Sequence, residues 1–370
     1  MYQYDESVEI TSLQQFECLL DPIPEPIKFM KGQYDTTIVS YLFQTDDTFN
    51  TAASLECRGI VFDKNGKLIG RPLHKFFNYG QVYKTVDQSQ VKAIYPKLDG
   101  SMIHTVAFDD ETFMLKSKKS FSSDVAISAT KFLDRPENSK FKAELVKLAT
   151  QGLTVIMEYT APDNQIVVKY NDEKLTVLHI RDNLTGEYIT DMVVSQGYFE
   201  IRKNLVKPLD ITVDQAIANL DTMTNEEGYI IQLDNDDMVK IKCPWYLKLH
   251  RTVTFIRERD IAEAFLDESL DDVKEALFNI NANMDRVLEI EQELSDDILK
   301  IVSEVDMLYT DKSQLSRKDY AIKFKEHAYF PLLMQKYVNG EYDVLKWYKL
   351  NRLNNYTLRQ ICQSNNEDDN

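Results

Sequence analysis

The chain has 370 residues, 43% of them hydrophobic, which is enough for two or three domains with sizeable cores. No run of about 18 apolar residues occurs, so no membrane-spanning helix is expected, and the acidic start Met1 to Glu6 lacks the apolar core of a secretory leader. The formal net charge of -17 opposes non-specific nucleic-acid binding, although a local basic cleft on an acidic chain would still hold such a substrate weakly and salt-sensitively.

Four scattered cysteines, Cys18, Cys57, Cys243 and Cys362, form no C-x-x-C pair. Neither a zinc site nor a disulfide framework is expected, and a reducing cytoplasm fits. Residues 1 to about 90 read as mixed α and β. Thr37 to Phe43 is a strand by its β-branched and aromatic content. Leu55 to Asp63 is a strand entering a hairpin at Asn65-Gly66, and Lys67 to Pro72 returns from it towards His74-Lys75-Phe76-Phe77-Asn78. An arginine beside a glycine, as at Arg58-Gly59, can meet a phosphate or carboxylate in bidentate fashion.

Val91 to Tyr95 alternates as a strand that Pro96 closes, and Met102 to Ala107 alternates as the next. Between them Lys97-Leu98-Asp99-Gly100-Ser101 presents a lysine on a tight turn. Gly100 has no Cβ and lets a bound ligand approach the backbone. Such a lysine is a nucleophile when its amine is neutral. K-x-D-G alone is a weak signal, and the downstream residues strengthen it.

Phe113 to Ser120 is a strand ending in the basic cluster Lys116, Lys118 and Lys119. Helices are expected over Asp124–Leu133 and from about Pro136 to Ala149, stopped by Gly152. Leu153 to Pro162 is an apolar strand carrying Glu158 near its end, where a carboxylate must meet a cation, a metal or a hydroxyl. Ile166 to Tyr170 and Lys174 to Ile180 read as strands. Glu226-Glu227-Gly228 leads into an apolar strand. Met238 to Lys242 places Lys240 and Lys242 on one strand face.

From about residue 251 the apolar period changes from 2 to 3.6, most clearly along Leu294, Ile298, Ile301, Val302, Val305 and Leu308. Further helices are expected over 317–329 and 342–350, broken at Gly340, with a disordered polar tail from Asn365 to Asn370. The fold class is therefore α+β with antiparallel sheets, followed by an all-α domain. The expected division is 1–250 and 251–370.

The ordered set Arg58-Gly59, Lys97-x-Asp99-Gly100, Glu158, Glu227-Gly228 and Lys240-x-Lys242 resembles the covalent nucleotidyltransferases. Adding Glu56 to Ile60, His74 to Asn78, Lys116 to Lys118, Glu158 to Pro162, Trp245-Tyr246 and His250, the closer resemblance is to the T4-type RNA ligase 1 family of phages. It covers about residues 37–250 densely and the helical third weakly. It implies an adenylation domain over 1–250 and an RNA-specificity domain over 251–370.

The resemblance implies that Lys97 attacks the α-phosphorus of ATP, expels pyrophosphate and carries AMP. Lys240 and Lys242 would lower its proton affinity and neutralise charge on the phosphates. Glu158 and Glu227 would lie near Mg²⁺ or Mn²⁺, with Glu158 alternatively holding the ribose. Tyr41, Arg58, Lys75, Phe77, Gly100 and Lys118 would contact nucleotide or substrate. Phe77 stacks on adenine in that reading and packs in the core in the alternative one. The pair Asp271 and Asp272 either binds metal, as a similar pair in the family suggests, or suits the positive end of a helix. The basic run Lys312, Arg317, Lys318, Lys323 and Lys325 faces either a folded RNA or solvent. No strand pattern for an OB-fold follows Lys242, which disfavours a DNA ligase or a capping enzyme.

The expected activity is ATP-dependent joining of 5′-phosphate and 3′-hydroxyl ends in single-stranded or loop RNA, such as a cleaved tRNA anticodon loop. The expected protein is a cytoplasmic monomer with no membrane partner. A non-catalytic RNA binder would not need the nucleophile and its cations, and a guanylyltransferase would label with GTP instead.

Overall fold

A computed structural model describes residues 4, 7–45, 47–108, 112–162, 164, 168–246, 257–279, 284–310 and 314–356, with side chains of 276–279 excepted. Ile166, His250, Lys312, Cys362, the 250/251 boundary and the tail from Asn365 to Asn370 lie outside these residues. The chain divides into two compact units. The first comprises 1–41 and 45–246, and the second comprises 42–44 and 247–370.

The first unit contains three four-stranded sheets. The first sheet has the order β1 (Ile27–Lys31), β2 (Thr37–Tyr41), β3 (Arg58–Phe62), β4 (Leu68–Gly70). In the second, β7 (Ser101–Ala107) lies between β8 (Phe113–Ser117) and β9 (Leu153–Thr160), and β10 (Lys174–Asp182) pairs with the other edge of β9. The third has the order β5 (Phe77–Asn78), β12 (Met238–Lys242), β11 (Gly228–Leu233), β6 (Val91–Lys97). All pairings are antiparallel except β5 with β12.

Alternation explains how the second sheet is covered. Ile103, Leu115, Val155, Met157, Val177 and Ile180 point to one face. There they bury Ala126, Ala129 and Leu133 of the helix Asp124–Leu133 and Phe141, Leu145 and Leu148 of the helix Ser139–Thr150. Each large apolar side chain so buried contributes about 1.5–3 kcal/mol. Ser123 caps the first of these helices by accepting from the Ala126 N–H. The opposite face, with Ile156 and His179, is left to line a cavity and polar contacts.

Two expectations shift. Pro96 does not close a strand but lies inside β6, opposite Tyr229. β6 is an edge strand, so the missing proline N–H costs no ladder bond. Of the strand expected over Ile166 to Tyr170, residues 168–170 are not extended in a sheet; the Val168 N–H donates to Asp99 instead.

The second unit is helical among its described residues. The helix Asp285–Leu308 buries Val287, Ile290, Leu294, Ile298, Ile301, Val302 and Val305 as one stripe. Around it pack residues of the helices Glu258–Leu266, Arg317–Phe324, Phe330–Asn339 and Val344–Asn351. Leu42 and Phe43 belong to this core, with the Phe43 ring 5.2 Å from Phe265.

Candidate active site

Register delivers the central residues. On β11, Gly228 stands opposite Lys97 of β6 on one side and Lys242 of β12 on the other. Glu227, one residue earlier, therefore reaches both lysines. Its Oε2 lies 2.7 Å from Lys97 Nζ and its Oε1 3.1 Å from Lys242 Nζ. Glu227 is buried, Lys242 nearly so, and the Lys97 side chain remains 22% exposed, so the lysine can be reached from outside. Lys240 pairs with Ile230 and shares a strand face with Lys242 and Met238.

This register needs glycine at 228. Its φ is +144°, and a Cβ there would fall 2.0 Å from the Ile241 carbonyl oxygen. Gly228→Ala is therefore expected to cost roughly 1–3 kcal/mol or more and to separate Glu227 from one lysine. Thermal melting and ATP labelling of the variant check this, and a variant matching the native protein in both would contradict it.

The turn Lys97 to Ser101 is fastened from below. The Asp99 carboxylate, buried, accepts from the Val168 N–H at 2.6 Å and from the Tyr246 hydroxyl at 2.9 Å. The Tyr170 hydroxyl accepts from the Asp99 N–H at 3.0 Å. Gly100 lines a cavity beside Lys97 and has a second use in the fold. A Cβ at Gly100 would meet the Tyr159 carbonyl oxygen at 2.4 Å, so its bareness lets β9 approach the turn. That closeness allows the Gly100 N–H to donate to Glu158 Oε1 at 3.1 Å.

Glu158 carries an unusual proton affinity. Burial pushes its carboxyl up to about 8, against the pull of Lys97; Glu227 and Asp99 push it further up, and the Gly100 N–H opposes them. Between the ordinary carboxyl value of about 4.3 and about 8, the folded chain holds a proton that the unfolded chain does not. Stability from this group therefore falls as pH rises through that window. Glu158→Gln is expected to flatten that decline in the ligand-free protein. Melting temperatures at a series of pH values check it, and an unchanged slope would oppose it.

A cavity of about 250 Å³ opens beside Lys97. It is walled by Tyr95 and Lys97 of β6, Met102 of β7, Glu158 of β9, Leu178 and His179 of β10, Ile230 of β11 and Met238 of β12, with Arg58 and Phe76 at its margin. It thus lies between the second and third sheets. The Arg58 Nη1 donates to the His74 carbonyl at 3.1 Å, and its guanidinium lies 5.5 Å from the Phe76 ring centre.

Other sequence candidates gather in a neighbouring aromatic cluster. Lys118 Nζ lies 3.7 Å from the Tyr41 ring centre, and Lys75 Nζ lies 5.3 Å from Phe77 and 5.5 Å from Phe49. Phe77 is buried in the core with Tyr41 and Phe49, so the stacking role expected for it is not where the structure places it. Phe76, one residue earlier and of opposite parity, lines the cavity. Lys116, the first lysine of the basic cluster, faces the interior. It is fully buried, and its ammonium donates to the carbonyls of Gly59, Ser117 and Lys118.

Asp271 and Asp272 stand in the first turn of the helix Leu270–Asn279, in the second unit. Among the described residues no group of three His, Cys, Asp or Glu is arranged to hold a metal. The metal reading of this pair therefore lacks a third ligand there, whereas the helix-terminus reading matches its position. Sequence reasoning missed Tyr95, Met102, Leu178, His179 and Val206 of the cavity wall.

A family model described as RNA ligase matches residues 56–246, the segment holding Lys97, Glu158, Glu227, Lys240 and Lys242. The chain belongs to this RNA ligase family. A putative RNA ligase of Thermovibrio ammonificans is 29% identical over 76% of this chain and 77% of its own length. RNA ligase 1 of bacteriophage TS2126 is 26% identical over 65% of this chain. The match spans 62% of that phage protein, less than two thirds of it. Among solved structures, an archaeal ATP-dependent RNA ligase (form 2) aligns with a TM-score of 0.45 and 11% identity over 79% of this chain and 78% of that chain. No described helix is long and apolar enough to cross a membrane.

Proposed function

We propose that the protein is an ATP-dependent RNA ligase that works through a lysyl-AMP intermediate. The observation that carries this reading is Lys97, held 2.7 Å from buried Glu227 at the edge of the cavity. Attack by the Lys97 nitrogen on the α-phosphorus forms the N–P bond and breaks the P–O bond to pyrophosphate. The lysine must give up a proton first, and Glu227 Oε2 lies where it can receive one. Lys242, on the other Glu227 oxygen, and Lys240, on the same strand face, are placed to meet the phosphates' negative charge. AMP then passes to an RNA 5′-phosphate, and a 3′-hydroxyl displaces it.

Burial first, and then the nearby Glu227 and Asp99 carboxylates, disfavour negative charge on Glu158. A cation would relieve that repulsion. A divalent ion such as Mg²⁺ or Mn²⁺, held by Glu158 and Glu227 through water together with substrate phosphates, would supply charge neutralisation there. The substrate reading is single-stranded or loop RNA of the tRNA-repair kind, acted on by a monomer in the cytoplasm, with the helical unit choosing the RNA ends. It rests on the family resemblance.

Incubation with α-³²P-ATP and Mg²⁺, followed by denaturing electrophoresis, tests the first step. An acid-labile, base-stable label is expected. Labelling from GTP but not ATP, or none from either, would oppose the reading.

A further inference from the structure

The cavity beside Lys97 has apolar side chains, Leu73, Phe76, Met102, Leu178 and Ile230, among its walls, alternating with polar ones. One buried polar group on that wall is unexplained by the lysine chemistry. His179 is 6% exposed, and among the described residues it makes edge contacts with the rings of Tyr95 (5.8 Å) and Tyr188 (5.2 Å) and no hydrogen bond. His179 is not among the buried, unpartnered polar atoms although it makes no hydrogen bond, so its ring nitrogens open to the cavity, where water or a ligand completes them.

The backbone is built to put it there. β10 carries a bulge between Val177 and His179. Val177 opposes Met157 and packs towards the helices, whereas His179 opposes Ile156, which belongs to the other face. In a regular strand residues 177 and 179 would share a face. The extra residue, Leu178, therefore turns both itself and His179 onto the cavity wall. Burial, then the positive charges of Lys92, His74 and Arg181, push the imidazole down to about 3, so the ring is neutral at physiological pH. A neutral imidazole keeps one acceptor nitrogen, which an imidazolium lacks.

We propose that His179 reads the nucleobase: its unprotonated ring nitrogen accepts a hydrogen bond from the exocyclic amine of a 6-aminopurine seated between the apolar walls. This deepens the reading of the cavity as the ATP site and rests on it. An amine at position 6 is the donor that separates adenine from guanine, which carries an acceptor oxygen there. The apolar walls take the flat faces of the base, and Lys97 stands where the sugar and phosphates emerge.

The test compares ATP with purine riboside 5′-triphosphate, which lacks only the amine, both α-³²P-labelled, on the full chain. The native protein is expected to need roughly tenfold more of the analogue for half-maximal labelling, the worth of one good hydrogen bond. His179→Phe keeps the ring packing and removes the acceptor, so ATP and the analogue should become equivalent within about twofold. His179→Gln restores an acceptor and should recover part of the preference for ATP. An unchanged gap in His179→Phe, or no gap in the native protein, overturns the proposal; the latter measurement and the Gln variant decide the matter if the Phe variant does not fold. Failure of ATP itself to label the native protein would instead overturn the reading on which this one rests.

Discussion

Lys97→Ala is expected to remove all covalent labelling from ATP while leaving the melting temperature within a few degrees of native. The chemical part follows from geometry. Lys97 is the lysine at the cavity rim, and its neighbour Lys242 is fastened to the other oxygen of Glu227, with its ammonium 5.3 Å from the Tyr246 ring. The structural part follows from what remains. Without Lys97, Glu227 still has Lys242, so no carboxylate is stranded in the core. A partly exposed ion pair contributes only about 0–1 kcal/mol. Lys97→Arg sharpens the experiment. Its guanidinium preserves the charge and the pairing with Glu227 but does not deprotonate to a nucleophile. Both variants should be folded and unlabelled. Native-rate labelling of Lys97→Arg would mean that the cation, not the amine, is what matters at this position.

Much of this arrangement was legible before any coordinates. Period-2 alternation and glycine turns located most strands, and the helix expected over Asp124–Leu133 has those bounds in the structure. That Lys97, Glu227 and Lys242 share a site was implied by the family resemblance, not by local pattern. What was not legible depends on how distant strands face one another. The cavity wall takes one to three residues from each of seven strands, and no local pattern marks them. The β10 bulge reverses the parity of His179 and leaves no trace in composition. The alternatives for Phe77, stacking or core packing, stay open in the sequence for a related reason: β5 has two residues, too few for alternation to reveal a face. Buried charges mislead most. Nothing in the local pattern marks Lys116, Glu56, Arg71 and Arg181 as interior, and the structure buries all four.

Glu56→Ala is expected to be the most destabilising single change outside the lysine site, although sequence gave Glu56 no role beyond its motif. Its carboxylate joins β3's approach to the second sheet. Oε1 accepts from Arg71 Nη2 and Arg181 Nη2, and Oε2 from Arg181 Nη1, each at 2.8 Å. All three side chains are at most 1% exposed. Other guanidinium donors reach the carbonyls of Val8, Pro72, Asn183, Leu184 and Gly186, which ties the N-terminal segment and the β10 turn to one point, while Arg71 Nε is left without a partner among the described residues. Removing the carboxylate leaves two buried cations facing each other without compensation, a loss of about 3–5 kcal/mol. For a unit of this size that corresponds to a fall of roughly 10 °C in melting temperature. Burial opposes charge on Glu56, but Arg181 and Arg71 outweigh it and hold the carboxyl well below the usual range. The sign of the pH effect follows. A depressed carboxyl contributes stability that is fully present above its unfolded value of about 4.3 and is lost as pH falls towards the folded one. The gap between native protein and Glu56→Ala should therefore be constant from pH 8 to about 5 and shrink below about 4. Melts of both proteins across that series check it. A gap under about 1 kcal/mol at pH 7, or one that does not narrow in acid, would show that Arg71 and Arg181 find other anionic or carbonyl partners when Glu56 is gone.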